Sequence, residues 1–293
     1  MLDYKLLHAL DAVVREGGFD RASQRLNITQ SAVSQRIRLL EDLVGGLLVT
    51  RTTPPRPTGE GKILLKHFSQ VQSLERDLEN SLKGPDSPGF QTLSLGINAD
   101  SLATWFFPAV KDFLRVRPIL LDLKVDDQDQ THKLLRDGDV AGCISSEQTP
   151  VQGCSARFIG EMNYRLVAAQ DFCRRYFPGG IESGGMDNVP AVIFNRKDDL
   201  HLKFFRQFLG RSLGKIPIHY VPSSEKFVQV ILDGLAYGMV PDLQGKKHLE
   251  NGILVDLAPD HHIRVPLYWH RWNLKTSLLD EFSNIIVKNA VIC

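Results

Sequence analysis

One stretch limits what this chain can fold into more than any other: Ala22, then Leu26, then the break Asn27-Ile28-Thr29, then Gln30-Ser31-Ala32-Val33-Ser34. A small residue at Ala22 lets two helices cross closely. Leu26 and Val33 fill the core they share, and the polar residues between are left facing outward. Asn27 breaks the first of these helices. Thr29 offers a capping hydroxyl to the second, whose inward positions are Ala32, Val33, Ile37 and Leu40. Upstream, Leu6, Leu7, Leu10, Val13 and Val14 recur at helical spacing, and Gly17-Gly18 ends that run as a C-cap does. Downstream, Leu47-Leu48-Val49 and the proline-stiffened Arg51-Thr52-Thr53-Pro54-Pro55-Arg56-Pro57-Thr58 predict a two-stranded wing that presents Arg51 and Arg56. The prediction is a winged helix-turn-helix over 1–58.

Charge agrees with that frame. The chain has 35 Lys+Arg against 34 Asp+Glu, a net +1, so affinity for a polyanion has to come from local clustering. Arg21, Arg25, Arg36, Arg38, Arg51 and Arg56 face only Glu41 and Asp42 across the same stretch. At 293 residues there is material for two or three domains, and 43% hydrophobic with 24% charged residues is an ordinary globular balance. No uncharged apolar run approaches the roughly 18 residues of a membrane helix. The start, Met1-Leu2-Asp3-Tyr4-Lys5, lacks the basic-then-apolar order of a signal peptide, so a cytoplasmic address is expected. Cys143, Cys154, Cys173 and Cys293 have no metal-site spacing and read as reduced, mostly buried thiols.

After Thr58, a plausible N-cap, the pattern becomes one long helix. Leu64, Val71 and Leu78 repeat every seven residues, with Phe68, Leu74 and Leu82 beside them. Packing on its own domain would explain the stripe, but a helix of this length without a globular neighbour in sequence favours pairing with a second copy. The segment 59–89 is therefore a linker helix and hinge, stopped by Gly84-Pro85-Asp86-Ser87-Pro88-Gly89. From 90 to 293 the pattern is α/β. The strand Thr92–Ile97, a helix over Trp105–Val116, the strand Leu120–Val125, a helix over His132–Arg136 and the strand Val140–Ser145 form a βαβαβ unit. A second unit has strands near Arg165–Ala168, Ala191–Phe194, Ile216–Val221 and Gly238–Val240, with helices over Leu200–Leu209 and Glu225–Leu235. The strand Val265–His270 and a helix over Lys275–Val287 return to the first unit. The expected lobes are about 90–162 with 268–293, and about 163–267. Two crossings make a hinge, and a ligand belongs in the cleft at the carboxyl ends of the strands.

Residues 19–41, from Phe19-Asp20-Arg21-Ala22-Ser23-Gln24-Arg25-Leu26 through Gln30-Ser31-Ala32-Val33-Ser34-Gln35-Arg36-Ile37-Arg38 to Glu41, resemble the DNA-binding domain of LysR-type transcriptional regulators almost position by position. Over the whole chain the layout resembles that family: winged helix, dimerising helix, and a two-lobed α/β effector domain like the type 2 periplasmic binding proteins. The stretch 51–58, Asn98-Ala99-Asp100-Ser101-Leu102-Ala103-Thr104-Trp105 and Leu267-Tyr268-Trp269-His270-Arg271-Trp272 resemble the ArgP or LysG branch, once described as inhibitors of chromosome initiation. That branch is associated with regulating basic amino-acid export and synthesis. The resemblance implies double-stranded DNA and a small-molecule effector, lysine or arginine, as partners. It also implies a homodimer through the linker helix, with tetramer and RNA polymerase contact left open, and no cofactor or metal.

In that frame the third helix enters the major groove, with Ser31, Ser34, Gln35 and Arg38 facing bases or phosphates, Gln30 anchoring to phosphate and Arg36 adding charge. Arg51 and Arg56 suit backbone or minor-groove contacts; a solvated face explains the same arginines. In the cleft, Asp100-Ser101 can receive a carboxylate where a helix opens, and a plain N-cap explains them equally. Asp126 and Asp127 supply negative charge or form a solvated turn. Ser145 and Ser146 lie near the first crossing. Asn195, Ser223, Ser224 and Asp242 occupy the corresponding places on the opposite lobe.

Rival readings have less behind them. An enzyme is opposed by the absence of nucleotide-loop and nucleophile-elbow patterns, by the adjacency of His261 and His262, and by the apolar strand contexts of His270 and Cys143. A transport-type binding protein would share the two-lobed cleft, but the helix-turn-helix and the expectation of no signal peptide both oppose it. An architectural DNA binder that needs no effector remains the alternative, as does a regulator sensing another metabolite.

Overall fold

The computed structural model describes residues 2–83, 89–126, 131–181, 186–208, 210 and 216–292. Asp3 caps α1 (Tyr4–Arg15) by accepting the Lys5 N–H at 2.9 Å, and Gly17, with φ +67°, turns the chain out of it. α2 (Phe19–Leu26) closes at Asn27, whose φ of 52° is the left-handed conformation that asparagine tolerates. Thr29 then accepts the Ala32 N–H at 3.2 Å and opens α3 (Gln30–Val44). Break and cap fall where the sequence placed them. Leu7, Leu10, Val13, Ala22, Val33, Ile37, Leu40 and Leu48 share one core, in which each large aliphatic side chain contributes about 1.5–3 kcal/mol by burial. Ala32 differs from expectation and stays partly exposed. The wing is also slighter than two strands. A single bridge, Val49 to Pro57, holds it, with Thr50 N–H donating to the Arg56 carbonyl at 2.7 Å. Three prolines in the returning arm remove the N–H groups that a longer ladder needs.

Thr58 locks the wing to the next helix, α4 (Gly59–Lys83). Its hydroxyl donates to the Leu47 carbonyl at 2.7 Å and accepts the Gly61 N–H at 3.1 Å. The apolar stripe read along α4 divides. Leu64 and Phe68 pack into the winged-helix core, Phe68 against Tyr4 and His8. Leu74, Leu78 and Leu82 are exposed, as is Ile63. α4 also lies against the following domain: Lys62 pairs with Asp137 at 2.7 Å, and Asp77 accepts the Ser277 N–H at 2.9 Å. Residues 84–88 of the expected hinge, together with Asp127 and Cys293, lie outside the described residues.

β1 (Gln91–Asn98), β2 (Ile119–Asp126) and β3 (Gly142–Ser145) run parallel in the order β2-β1-β3, connected by α5 (Ala99–Ala103), α6 (Phe106–Val116) and α7 (Thr131–Asp137). The chain then makes β4 (Cys154–Ala169), α8 (Gln170–Tyr176), a 3-10 turn at Met186–Asn188, β5 (Ala191–Ile193), α9 (Leu200–Phe208), β6 (Ile218–Tyr220), α10 (Ser224–Leu232), β7 (Gly238–Pro241), α11 (Asp242–Glu250), β8 (Leu254–Asp256), β9 (Ile263–Trp272) and α12 (Ser277–Asn289). Two features correct the sequence reading. The short strand expected near Arg165–Ala168 is the end of the sixteen-residue β4, and β4 pairs antiparallel with β9 from Cys154↔Trp272 to Tyr164↔Ile263. The two lobes are therefore not separate parallel sheets, because β3-β9-β4-β7 is continuous, with β8 on β4. Among the described residues, β5 and β6 alone stand apart as a parallel pair, tied to the segment before β7 by an Ala191–Tyr237 bridge.

Trp269, Phe106 and Phe282 fill the core beneath this sheet, with the Trp269 indole N–H given to Ser283 at 2.9 Å. Cys143 and Cys154 are buried free thiols, and burial pushes both above their ordinary pKa. Among the described residues no helix is long and apolar enough to cross a membrane.

The wing–linker junction yields a prediction. A Cβ on Gly61 overlaps the Leu48 carbonyl oxygen and approaches Pro57 Cβ at 3.3 Å, whereas one on Gly59 meets nothing within 4 Å. Gly61→Ala is expected to cost about 1–3 kcal/mol, and Gly59→Ala to stay within about 0.5 kcal/mol of wild type. Thermal denaturation of the two variants checks this; equal melting temperatures would contradict it.

Candidate functional site

Two surfaces collect the residues singled out from the sequence. On the winged helix, Gln30, Ser31, Gln35 and Arg38 are exposed along α3, and Ser34 and Arg36 are half-buried beside them. Arg51 and Arg56 are exposed on the wing. The Ser31 hydroxyl shares a hydrogen bond with Thr29 at 2.9 Å and so belongs partly to the helix cap. Among the described residues, Arg25 is held by Glu16 and Arg15 by Asp11, both at 2.7 Å. Arg36, Arg38, Arg51 and Arg56 form no such pair there. Four guanidiniums on the third helix and the wing, uncommitted within the fold, are an electrostatic footprint for a polyanion.

The second surface lies where strand ends converge. Parallel register sets Asn98 opposite Asp126, with Ser145 at the end of β3 on the same edge. On the other lobe the parallel pair β5-β6 sends its two following loops, 194–199 and 221–223, to one edge. These edges meet. The Ser224 hydroxyl donates to Asp100 Oδ1 at 2.6 Å, and the Tyr164 phenol, from β4, donates to Asp100 Oδ2 at 2.7 Å. Ser224 has a single proton, so its 3.0 Å contact with Gln244 requires that amide to present its NH2 group.

The predicted effector residues divide accordingly. Asp100 and Ser224 are in direct contact. Ser101 is fully buried on the short α5 with an unpartnered Oγ, and Asn98 beside it has an unpartnered Oδ1. The Ser145 hydroxyl accepts the Glu147 N–H at 3.2 Å, and Ser146 follows it half-buried. The Asn195 side-chain Oδ1 organises its own loop by accepting the Lys197 N–H at 2.7 Å. Ser223 caps α10. Asp242 is drawn away to Arg165 at 2.8 Å, and the same guanidinium reaches Asp256 at 2.9 Å. Asp100 also changes meaning. Read as part of a turn that receives a carboxylate, it instead brings its own carboxylate to the lobe boundary, so the locus favours a cation over an anion.

Sequence reasoning missed Tyr164, Gln244 and Asp198. Asp198 accepts backbone N–H bonds from Phe194 at 3.2 Å and Leu200 at 3.0 Å. Its charge acts on both Asp100 and Tyr164. Burial raises the Asp100 carboxyl above its ordinary value, against the lowering effect of the Ser224 and Tyr164 hydrogen bonds. Burial likewise raises Asp198, and pushes the Tyr164 phenol well up with the neighbouring Asp100 charge adding to it.

Two of the histidines named against an enzyme have structural partners. His261 stacks on Phe208 with centroids 4.7 Å apart, and His270 is buried with Nε2 2.6 Å from the Glu147 carbonyl. Among the described residues no group of three or more His, Cys, Asp or Glu is placed to hold a metal ion.

Comparison with known proteins adds to this geometry. Residues 4–62 match the family model of the bacterial regulatory helix-turn-helix proteins of the lysR family, and residues 89–290 match the LysR substrate binding domain. The chain is 45% identical over 287 residues to the HTH-type transcriptional regulator ArgP of Aeromonas salmonicida, covering 98% of this chain and 96% of that one. It resembles the crystal structure of ArgP from Mycobacterium tuberculosis, with a TM-score of 0.88, 36% identity, and 99% and 98% of the two chains covered. Full-length LysG from Corynebacterium glutamicum, solved with bound effector Arg, gives a TM-score of 0.79 at 32% identity over the same shares.

The buried carboxylate sets a pH-dependent expectation. Because burial raises the folded-state pKa of Asp100 above 3.8, its ionised form weighs on the fold. That burden is absent below about pH 3.8 and grows as pH rises through the folded value. Asp100→Asn is therefore expected to raise the melting temperature of the ligand-free protein at pH 7–8, by roughly 2–4 °C per kcal/mol gained. The gain should disappear toward pH 4. Melting curves of both proteins across pH test this; a variant less stable at pH 8 would contradict it.

Proposed function

The chain belongs to the lysR family of bacterial regulatory helix-turn-helix proteins and is a DNA-binding transcriptional regulator with an effector domain; we propose that its effector is a basic amino acid, arginine or lysine, held between the lobes. The observation that carries this reading is the buried Asp100 carboxylate, tied to Tyr164 and Ser224 across the lobe boundary. A cationic guest there relieves a buried negative charge and competes for the contact that joins the lobes, so it shifts their relative arrangement. α4 carries that shift toward DNA, since it touches the effector domain at Asp137 and Ser277 and the winged helix at Tyr4 and His8.

On the DNA side, α3 enters the major groove. Gln30 anchors to phosphate, Ser31, Ser34, Gln35 and Arg38 reach base edges or phosphates, and Arg36, Arg51 and Arg56 neutralise the backbone. The exposed Leu74, Leu78 and Leu82 stripe supports a homodimer through α4. Pairing of dimers into a tetramer and contact with RNA polymerase belong to the same reading, as does a cytoplasmic location. The protein catalyses no reaction and carries no resident cofactor.

Two measurements test this. Thermal-shift screening against the twenty amino acids should stabilise the protein with arginine or lysine alone, because a ligand bound only to the folded state raises its melting temperature. A shift with neither ligand would remove the basic amino acid as effector. Arg56→Ala should weaken specific and nonspecific DNA binding alike and reduce the salt slope by about one. An unchanged slope in a salt titration would take Arg56 off the phosphate backbone.

A further inference from the structure

We propose that Asp198, on the loop between β5 and α9, is the partner of Asp100 in reading the cationic side-chain group of the effector, so that one carboxylate from each lobe sets selectivity for basic over neutral amino acids. This rests on the basic amino-acid reading above. The geometry begins with β5 and β6. Their parallel pairing, continued by the Val221 N–H to Ile193 carbonyl bond at 3.0 Å, places the loops after both strands on one edge of lobe II. Ser224, just past β6, reaches Asp100 across the boundary at 2.6 Å. The loop after β5 therefore faces the same boundary, and Asp198 lies on it close enough for its charge to act on both Asp100 and Tyr164.

Both Asp198 oxygens are fixed. Oδ1 accepts the Leu200 N–H and Oδ2 the Phe194 N–H, so the carboxylate is held in one orientation without a cation. Lys203, the cation whose charge reaches it, pairs with Asp199 at 2.8 Å. Among the described residues neither Asp100 nor Asp198 forms an ion pair. Two carboxylates facing one boundary repel each other, and a guest cation between them removes that repulsion. Independent of the acids, the turn holding Asp100 keeps two buried polar atoms without a protein partner, Asn98 Oδ1 and Ser101 Oγ. An acceptor and a hydroxyl on one turn match the α-ammonium and α-carboxylate of an amino acid. The zwitterionic end then belongs on the Asn98–Ser101 turn, leaving the side-chain cation to the acidic pair.

The test compares arginine with citrulline, its neutral isostere, by titration calorimetry on the full-length protein. Wild type should prefer arginine by about tenfold or more. Asp198→Asn keeps an oxygen for the helix cap and removes the charge. It should lower arginine affinity by about tenfold or more, leave citrulline affinity unchanged and so abolish the preference. Asp198→Glu should restore part of it. Asp198→Ser, which also retains a capping oxygen, should behave as Asp198→Asn does and serves if that variant folds poorly. An intact preference in these neutral variants would overturn the proposal. Equal weakening of both ligands would also overturn it, because Asp198 would then act only through the cap of α9. Wild-type protein that binds neither arginine nor lysine would instead remove the effector reading, and this inference with it.

Discussion

The antiparallel ladder between β4 and β9 joins the two lobes of the domain that follows the linker. β3 attaches to β9 over Tyr268–Arg271, while β7 and β8 attach to the far end of β4 over Tyr164–Ala169. Each long strand thus belongs to one lobe at one end and the other lobe at the other. Tyr164 stands where the ladder passes from its β9 pairing to its β7 pairing, and its phenol points to Asp100. The strands that connect the lobes therefore also carry a hydrogen-bond donor into their boundary. Any change in how Asp100 is satisfied acts on the hinge itself, because the two share a residue.

Much of the winged helix was legible because its determinants are local. Thr29, Asn27 and Gly17 each act within a few residues, through a capping oxygen or a left-handed φ, and the structure places them as the sequence implied. β4 was not legible for the opposite reason. Its pairing partner lies far along the chain, its burial changes from alternating to continuous, and Gly160, with φ +139°, accompanies a register shift that interrupts the period. α11 was not predicted; Gly245, a poor helix former, sits inside it and lets Val240 approach at 3.2 Å from where a Cβ would be.

The candidate site shows the same division. Asp100 and Ser224 could be named, since each follows a strand and opens a helix, but the direction of the Asp100 side chain could not. Asp198 lies in the run Arg196-Lys197-Asp198-Asp199, which has the composition of a solvated loop. Only the β5-β6 pairing reveals which edge that loop occupies. Asp242 shows the reverse case. Its position after β7 suits a ligand, but Arg165 takes the carboxylate.

The account centres on an effector held between the Asp100 turn of one lobe and the Asp198 and Ser224 loops of the other. Hydrogen exchange read by mass spectrometry, with and without arginine, tests that directly, because ordering by a guest slows local opening. The account predicts slower exchange over 98–104, 194–200 and 221–226 together, one segment from lobe I and two from lobe II. Protection confined to one lobe, or binding of arginine with none of these segments protected, would contradict it.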